Sequence, residues 1–522
     1  MSGWDKFERL LAIFGLFIFA WEIYLYVIGS FRIGFFDYAL GILSQKYVNL
    51  GFVPYRDFAG VYPPGRFLLV GKLFYSDVWV NVRFLIATLC LSLMAVLYYL
   101  LFVPNRRDTD YLNTAVFFLL HAVIFRIFHS GLELMFYPYV IVYGLMVFYV
   151  CCYKDYVVLF IASFVVFIGV WVRWDWPLFY CLGLGGMVLV AFGLRFVVGN
   201  RKRELSQITR DLLVAGVFLG TGYLLGAGSL YLYLRHLGVW ERAFEFFVVI
   251  PSYLTRTYRN LPLPWPTLFI NTKSLIYVNV CFMALFAWWI YRKLFAAKIS
   301  SGDFVRGFSL VLVTCPLVVV LAPYALGRSD WWHFVPMWYA IGLAWIVFEK
   351  RVFQLKYPEK LVILLAFLPL VGWYFSDPLM YLVQADFGER EIEEQIKDCR
   401  SKTYGFGPES IFVGRVTYER FLYNNAALYF VYPEVRPATA FITEEPGIQS
   451  SCKYGEMVVE DLKRAPRPML TFLEEGTHGW DNEMVRTMSS CGKIESYLFG
   501  NEYVGAGKCI SYGHSYEIRL YK

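Results

Sequence analysis

Three carboxylates and a series of arginines stand where group-transfer chemistry would need them. Asp37 follows the first long apolar run, Asp57 lies in the string Val53-Pro54-Tyr55-Arg56-Asp57-Phe58, and Glu133 belongs to a later connection. Arg66 ends the run Tyr62-Pro63-Pro64-Gly65-Arg66. Arg126, Arg173, Arg256, Arg259 and Arg328 recur in or beside later connections, and Asp330 and His333 follow Arg328 in Gly327-Arg328-Ser329-Asp330-Trp331-Trp332-His333. A carboxylate in such a place takes a proton from an attacking hydroxyl. Guanidinium forks match phosphate oxygens and stabilise the charge that builds on a departing phosphate. Aromatic rings nearby stack on sugar and hold the lipid-water boundary. This is the inventory for moving a sugar from a lipid phosphate to a hydroxyl.

Each residue also has a plainer reading. Asp37 can cap an interfacial helix whose apolar positions are Tyr38, Ile42, Leu43 and Tyr47. Asp57 beside Arg56 can be a loop ion pair or a turn residue, and Pro63-Pro64 can open a second interfacial helix. Arg126 can snorkel from a span end, while His129 and Glu133 lie about one turn apart on a shared face. Arg173 with Asp175 can be a local ion pair in an aromatic belt, and Arg256 and Arg259 can be solvated. The tight turn of Arg328, Asp330 and His333 is harder to explain without function, because topology does not call for an arginine there.

The elements that must position these residues follow from composition. The 522 residues are 58% hydrophobic, 20% aromatic and only 17% charged, against roughly 25% charged in soluble domains. An α-helical polytopic membrane protein is expected. Apolar stretches near 10–30, 84–103, 111–128, 134–152, 157–172, 177–198, 211–234, 274–291, 304–325, 334–349 and 360–375 give about 11 transmembrane helices. The first carries Glu22 and lacks a small-residue cleavage site, so it is expected to be retained. The net charge of +7 comes from clusters between spans, which fits membrane topology and excludes nucleic acid as partner.

A cytoplasmic N-terminus puts Lys6, Arg9, Arg106, Arg107, Lys154, Arg201, Lys202, Arg203, Arg292, Lys293, Lys350 and Arg351 on the cytoplasmic side. Segments 31–83 and 235–273 and the tail from about 376 then lie outside. Residues 1–375 are read as a transmembrane catalytic domain with interfacial helices in the first outer loop, 31–83, and 376–522 as a soluble extracytoplasmic α/β domain in a multi-pass protein of the plasma (inner) membrane. The tail has β-like runs at Ile411–Gly414, Leu428–Tyr432 and Met469–Leu473 and helix-like stretches at Glu391–Lys402 and Glu456–Arg464. It also holds Cys399, Cys452, Cys491 and Cys509, which allow up to two disulfides outside the cytoplasm in any of three pairings.

The early Asp37, the string Gly51 to Gly65 (G-x-x-P-Y-R-D-F-x-x-x-Y-P-P-G) and the later Gly-Arg-Ser-Asp-x-x-His turn resemble the polytopic GT-C glycosyltransferases. Within that class the chain looks most like glycosyltransferase family 39, the protein mannosyltransferase and aminoarabinose transferase-like group. The resemblance covers the whole chain and implies inverting transfer of a monosaccharide from a polyprenyl or dolichyl phosphate donor at the outer membrane face, to a glycan, lipid or protein acceptor. It implies Asp37 as catalytic base, Glu133 as second acid, and Arg256, Arg259 and Arg328 as holders of the lipid phosphate. Family members often carry Asp-Glu at the first site; here Tyr38 follows Asp37, so the second carboxylate's duty is absent or passes to Asp57 or Glu133. Trp331-Trp332 leads to His333, which departs from the Trp-Trp-Asp motif of oligosaccharyltransferases. No cofactor is required if the arginines supply the charge, whereas Asp37 with Asp57 or Glu133 offers ligands for a divalent metal.

A lipid-linked sugar transporter or flippase is the rival from another class, and would place charges within several helices. A polysaccharide polymerase or ligase acting on a lipid-diphosphate glycan would need the same outer arginines. A noncatalytic scaffold fits the clustering of acids and arginines less well.

Overall fold

The computed structural model describes residues 3–28, 43–44, 46–60, 62–65, 68, 94, 111–127, 133–151, 154–252, 292, 294, 299–328, 331–351, 389–418, 425–443, 448–475, 490–511 and 513–522. The chain divides into two compact units, the first of residues 1–30, 80–230 and 260–383, the second of 31–79, 231–259 and 384–522.

The described elements of the first unit are all helices. Its helices are α1 (Gly3–Ile28), α2 (Tyr111–Ile127), α3 (Glu133–Cys151), α4 (Tyr156–Val172), α5 (Asp175–Val197), α6 (Lys202–His236, which runs past the unit boundary), α7 (Ser301–Arg328) and α8 (Trp331–Arg351). These occupy expected spans; of the others, 274–291 and 360–375, and 84–103 apart from Met94, lie outside the described residues. Three described helices, α5, α6 and the Ser301–Val318 part of α7, are long and apolar enough to cross a membrane.

Helix contacts set the polarity of the bundle. Asn113 at the start of α2 donates to Glu349 near the end of α8 at 2.6 Å. Cys151 at the end of α3 reaches the Arg306 carbonyl at the start of α7, Lys154 before α4 pairs with Asp211 near the start of α6, and Ser301 donates to Glu204 at 2.6 Å. These polar pairs share one end of the bundle. Close backbone approach tightens the packing: a Cβ on Gly222 of α6 would stand 2.2 Å from the Ser163 carbonyl oxygen of α4. The Ser163 hydroxyl donates to the Phe218 carbonyl of α6 at 2.7 Å, stitching the same crossing.

The second unit is built on a five-stranded sheet ordered β2-β1-β3-β5-β4. The strands are β1 (Ser410–Arg415), β2 (Arg436–Pro437), β3 (Met469–Glu474), β4 (Val504–Ser511) and β5 (His514–Tyr521). β2, β1 and β3 pair in parallel, and β5 joins β3 antiparallel and carries β4 as a hairpin edge. Every residue of β1 and β3 is buried, as expected of strands covered on both faces. Arg415 and Glu474 are register partners on these strands and form a buried ion pair at 2.8 Å.

Helices α9 (Glu389–Thr403), α10 (Cys452–Arg464) and α11 (Lys493–Gly500) belong to the same unit. α10 buries Tyr454, Val458 and Leu462, a stripe at helical spacing, and is capped by the Ser451 hydroxyl accepting from the Tyr454 amide. Two disulfides form, Cys399–Cys509 between α9 and β4 and Cys452–Cys491. The sequence expectation of a strand at Leu428–Tyr432 is corrected: Ala426–Val431 is a 3-10 helix begun by the Asn425 side chain, which accepts from the Ala427 amide. β-rich composition there reflects burial, since Ala427, Leu428, Tyr429 and Val431 all point inward.

Candidate functional site

The string Val53 to Phe58 forms a compact turn within the second unit. Tyr55 takes a left-handed conformation at φ 67°, which a bulky residue adopts only under surrounding constraint. Its amide donates to the Phe58 carbonyl at 2.6 Å and its hydroxyl to the Tyr62 carbonyl at 2.5 Å, while the ring packs beside Phe246 and Phe247. Burial pushes the Tyr55 phenol well above its ordinary value.

Asp57 is 4% exposed at the centre of this turn. Its Oδ2 accepts from the Val53 amide at 2.8 Å and from Arg56 Nη2 at 3.1 Å. Its Oδ1 accepts from Arg56 Nε at 3.2 Å and from Arg436 Nη2 at 2.5 Å. Arg436 belongs to β2, so one carboxylate pins the early loop to the C-terminal sheet. The Ala59 amide adds a bond to the Ala440 carbonyl at 2.7 Å. Both oxygens of Asp57 are thus engaged in holding architecture, the loop ion pair among its possible readings.

Residues 231–252 join the same body. The short helix Trp240–Phe244 presents Arg242 to Asp461 of α10, and Asp461 also accepts from the Thr439 hydroxyl at 3.0 Å and the Ala440 amide at 3.1 Å. In the π-turn Glu245–Val249 that follows, Glu245 accepts from Tyr454 and pairs with Lys453, and Phe246 packs on Phe441 at 4.6 Å. Sequence reasoning missed Arg436, Arg242, Glu245 and Asp461. The one available signal was that Arg242 and Glu245 are charged residues within a segment already assigned to the outside.

In the first unit, the candidate residues gather by backbone position. Arg126 lies at the end of α2, Glu133 at the start of α3, Arg328 at the end of α7 and His333 at the start of α8. The turn between α4 and α5 holds Arg173 and Asp175. All of these helix ends stand at the end of the bundle opposite the polar pairs of Asn113, Lys154 and Ser301. Arg173 is 9% exposed; its Nε donates to Asp175 Oδ1 at 3.2 Å and its guanidinium lies 5.0 Å from the Trp176 ring centre. This is the local ion pair in an aromatic setting weighed from the sequence. Asp37, Arg66, Arg256, Arg259 and Asp330 lie outside the described residues.

Among the described residues no group of three or more His, Cys, Asp or Glu is arranged to hold a metal ion. No protein-family profile matches the chain, and neither a curated protein nor a solved structure matches it.

Proposed function

We propose that the chain is an integral membrane glycosyltransferase of the GT-C type, with about eleven spans and a cytoplasmic N-terminus. It transfers a monosaccharide from a polyprenyl or dolichyl phosphate to an acceptor hydroxyl at the outer membrane face, with inversion. Asp37 deprotonates the acceptor as it attacks the anomeric carbon, and Glu133 is the second acid. Arg328, with Arg256 and Arg259, binds the lipid phosphate more tightly as it gains charge. Arg66, Arg126, Arg173, Asp330 and His333 complete the polar surround.

One observation carries this reading. The three stretches that charge asymmetry assigns to the outside, the loop after the first span, the segment after α6 and the tail, fold as a single body. Their grouping in one unit supports placing all three on one face. The collection of Arg126, Glu133, Arg173, Arg328 and His333 at one bundle end, opposite the basic clusters, supports the same orientation.

The test uses the full chain in nanodiscs with a panel of radiolabelled polyprenyl-phosphate monosaccharides and a membrane extract as acceptor source. Saturable binding of one donor, weakened by Arg328→Ala, is the expected result. Unchanged donor affinity in that variant refutes the role of Arg328. Absence of binding across the panel, with binding of a lipid-diphosphate glycan instead, overturns the monophosphate donor.

A further inference from the structure

A cavity of about 490 Å³ opens in the first unit, at the bundle end opposite the helix ends that carry Arg126, Glu133, Arg173, Arg328 and His333. Its wall includes Lys154, Arg203 and Arg306, the acid Glu204, Ser301 and Gln207, and apolar residues such as Val305. The proposed chemistry at the outer face makes no use of it. It sits where α3 ends and α6 and α7 begin, so its mouth is at the boundary between charged helix ends and apolar helix bodies.

The charges around it do not cancel. Lys154 is taken by Asp211, and Glu204 is occupied by the Ser301 hydroxyl and by Arg201 at 3.3 Å. Arg306 pairs only loosely with Asp303, at 3.7 Å with side chains 50% and 36% exposed, a geometry of little energetic weight. Arg203 has no acidic partner among the described residues and is exposed. Lys154, Arg201, Arg203, Arg210 and Arg306 thus face Glu204, Asp211 and Asp303, leaving two surplus positive charges, with Arg203 unpaired among the described residues and Arg306 only loosely held.

We infer that this cavity binds a phosphate group, that of an anionic phospholipid headgroup from the cytoplasmic leaflet. The surplus positive charge attracts the negative charge of a phosphodiester. Arg203 and Arg306 supply guanidinium donors, Gln207 supplies an amide, and Val305 offers an apolar flank for the glycerol end. A soluble phosphate shares the headgroup's chemistry but has no use for the apolar flank. The inference rests on the membrane orientation and is independent of glycosyl transfer.

The test measures thermal unfolding of the detergent-purified full chain while titrating dioleoylphosphatidylglycerol, dioleoylphosphatidylcholine or inorganic phosphate. Phosphatidylglycerol should raise the midpoint saturably, with phosphatidylcholine inert. Because each basic residue near a lipid surface contributes about fivefold, Arg203→Gln with Arg306→Gln should raise the half-saturating concentration about 25-fold. Lys202→Gln, on the same helix but not in the cavity wall, should leave it unchanged. An equal response of the double variant and the wild type, or of the two phospholipids, overturns the site. A full shift with inorganic phosphate alone overturns the lipid source. If the double variant fails to fold, native mass spectrometry of the wild type decides: co-purified phosphatidylglycerol supports the site, and its absence overturns it.

Discussion

Replacing Asp57 with Asn should loosen the loop 46–60 from the sheet. The buried carboxylate receives a backbone amide at 2.8 Å and the Arg436 guanidinium at 2.5 Å, and hydrogen bonds to charged groups are worth about 1.5–3 kcal/mol each. Arg56 is 57% exposed, so its share is screened to about 1 kcal/mol or less. Arg436 is 44% exposed, which reduces its share as well, and Asn retains one acceptor oxygen. The net cost is about 2–3 kcal/mol, and at 1.4 kcal/mol per decade the amides of Val53, Asp57 and Ala59 should exchange about 30- to 100-fold faster. Hydrogen exchange of the detergent-purified protein, resolved by peptide, reads this directly. Arg436→Gln should reproduce most of the effect, and the double variant should be little worse than either single one. Acceleration of less than about threefold, or full additivity, would refute the clamp.

Three further outcomes follow from packing and charge. Gly222→Ala should destabilise the first unit by about 1–3 kcal/mol or more, because its Cβ meets a carbonyl oxygen, whereas Gly220→Ala, with nothing within 4 Å, should be neutral; equal thermal midpoints would contradict the close approach of α4 and α6. Non-reducing peptide mapping should recover Cys399–Cys509 and Cys452–Cys491, worth about 5 and about 4 kcal/mol respectively by chain entropy, and free thiols at these positions in the cell would contradict an outside tail. The Ile510 amide and Lys402 hold the Asp398 carboxyl below its ordinary 3.8, and Lys508 holds that of Glu475 below 4.5. Both folded values are depressed, so their contribution is complete above those values and is lost as pH falls below about 4. Asp398→Asn should flatten the acid limb of the second unit's exchange protection, and an unchanged limb would dismiss Asp398 as its source.

The helices were legible because apolar stretches of span length leave few alternatives, and α3, α4 and α5 begin or end within a few residues of the expected limits. In the tail, β1, β3, α9 and α10 carried readable periodicity. The hairpin of β4 and β5 did not: Val504–Ser511 contains Gly505 and Gly507, is largely exposed and lies at the sheet edge, so no inward alternation marks it. The four tail cysteines were legible as a group, while their pairing depends on the register that brings Cys509 under α9. At the candidate site, Arg173 and Asp57 occupy the plainer roles open to them. What makes Asp57 important, a partner 379 positions away, leaves no local trace in sequence.

The proposed transfer requires Asp37 to remove the acceptor's proton as the sugar leaves a lipid phosphate. The decisive measurement is single-turnover transfer of labelled sugar by wild type and Asp37→Asn, with donor binding measured in parallel. Donor binding should be unchanged and transfer slowed by about 10²- to 10⁴-fold, the usual worth of a positioned base. Transfer within about threefold of wild type would contradict it.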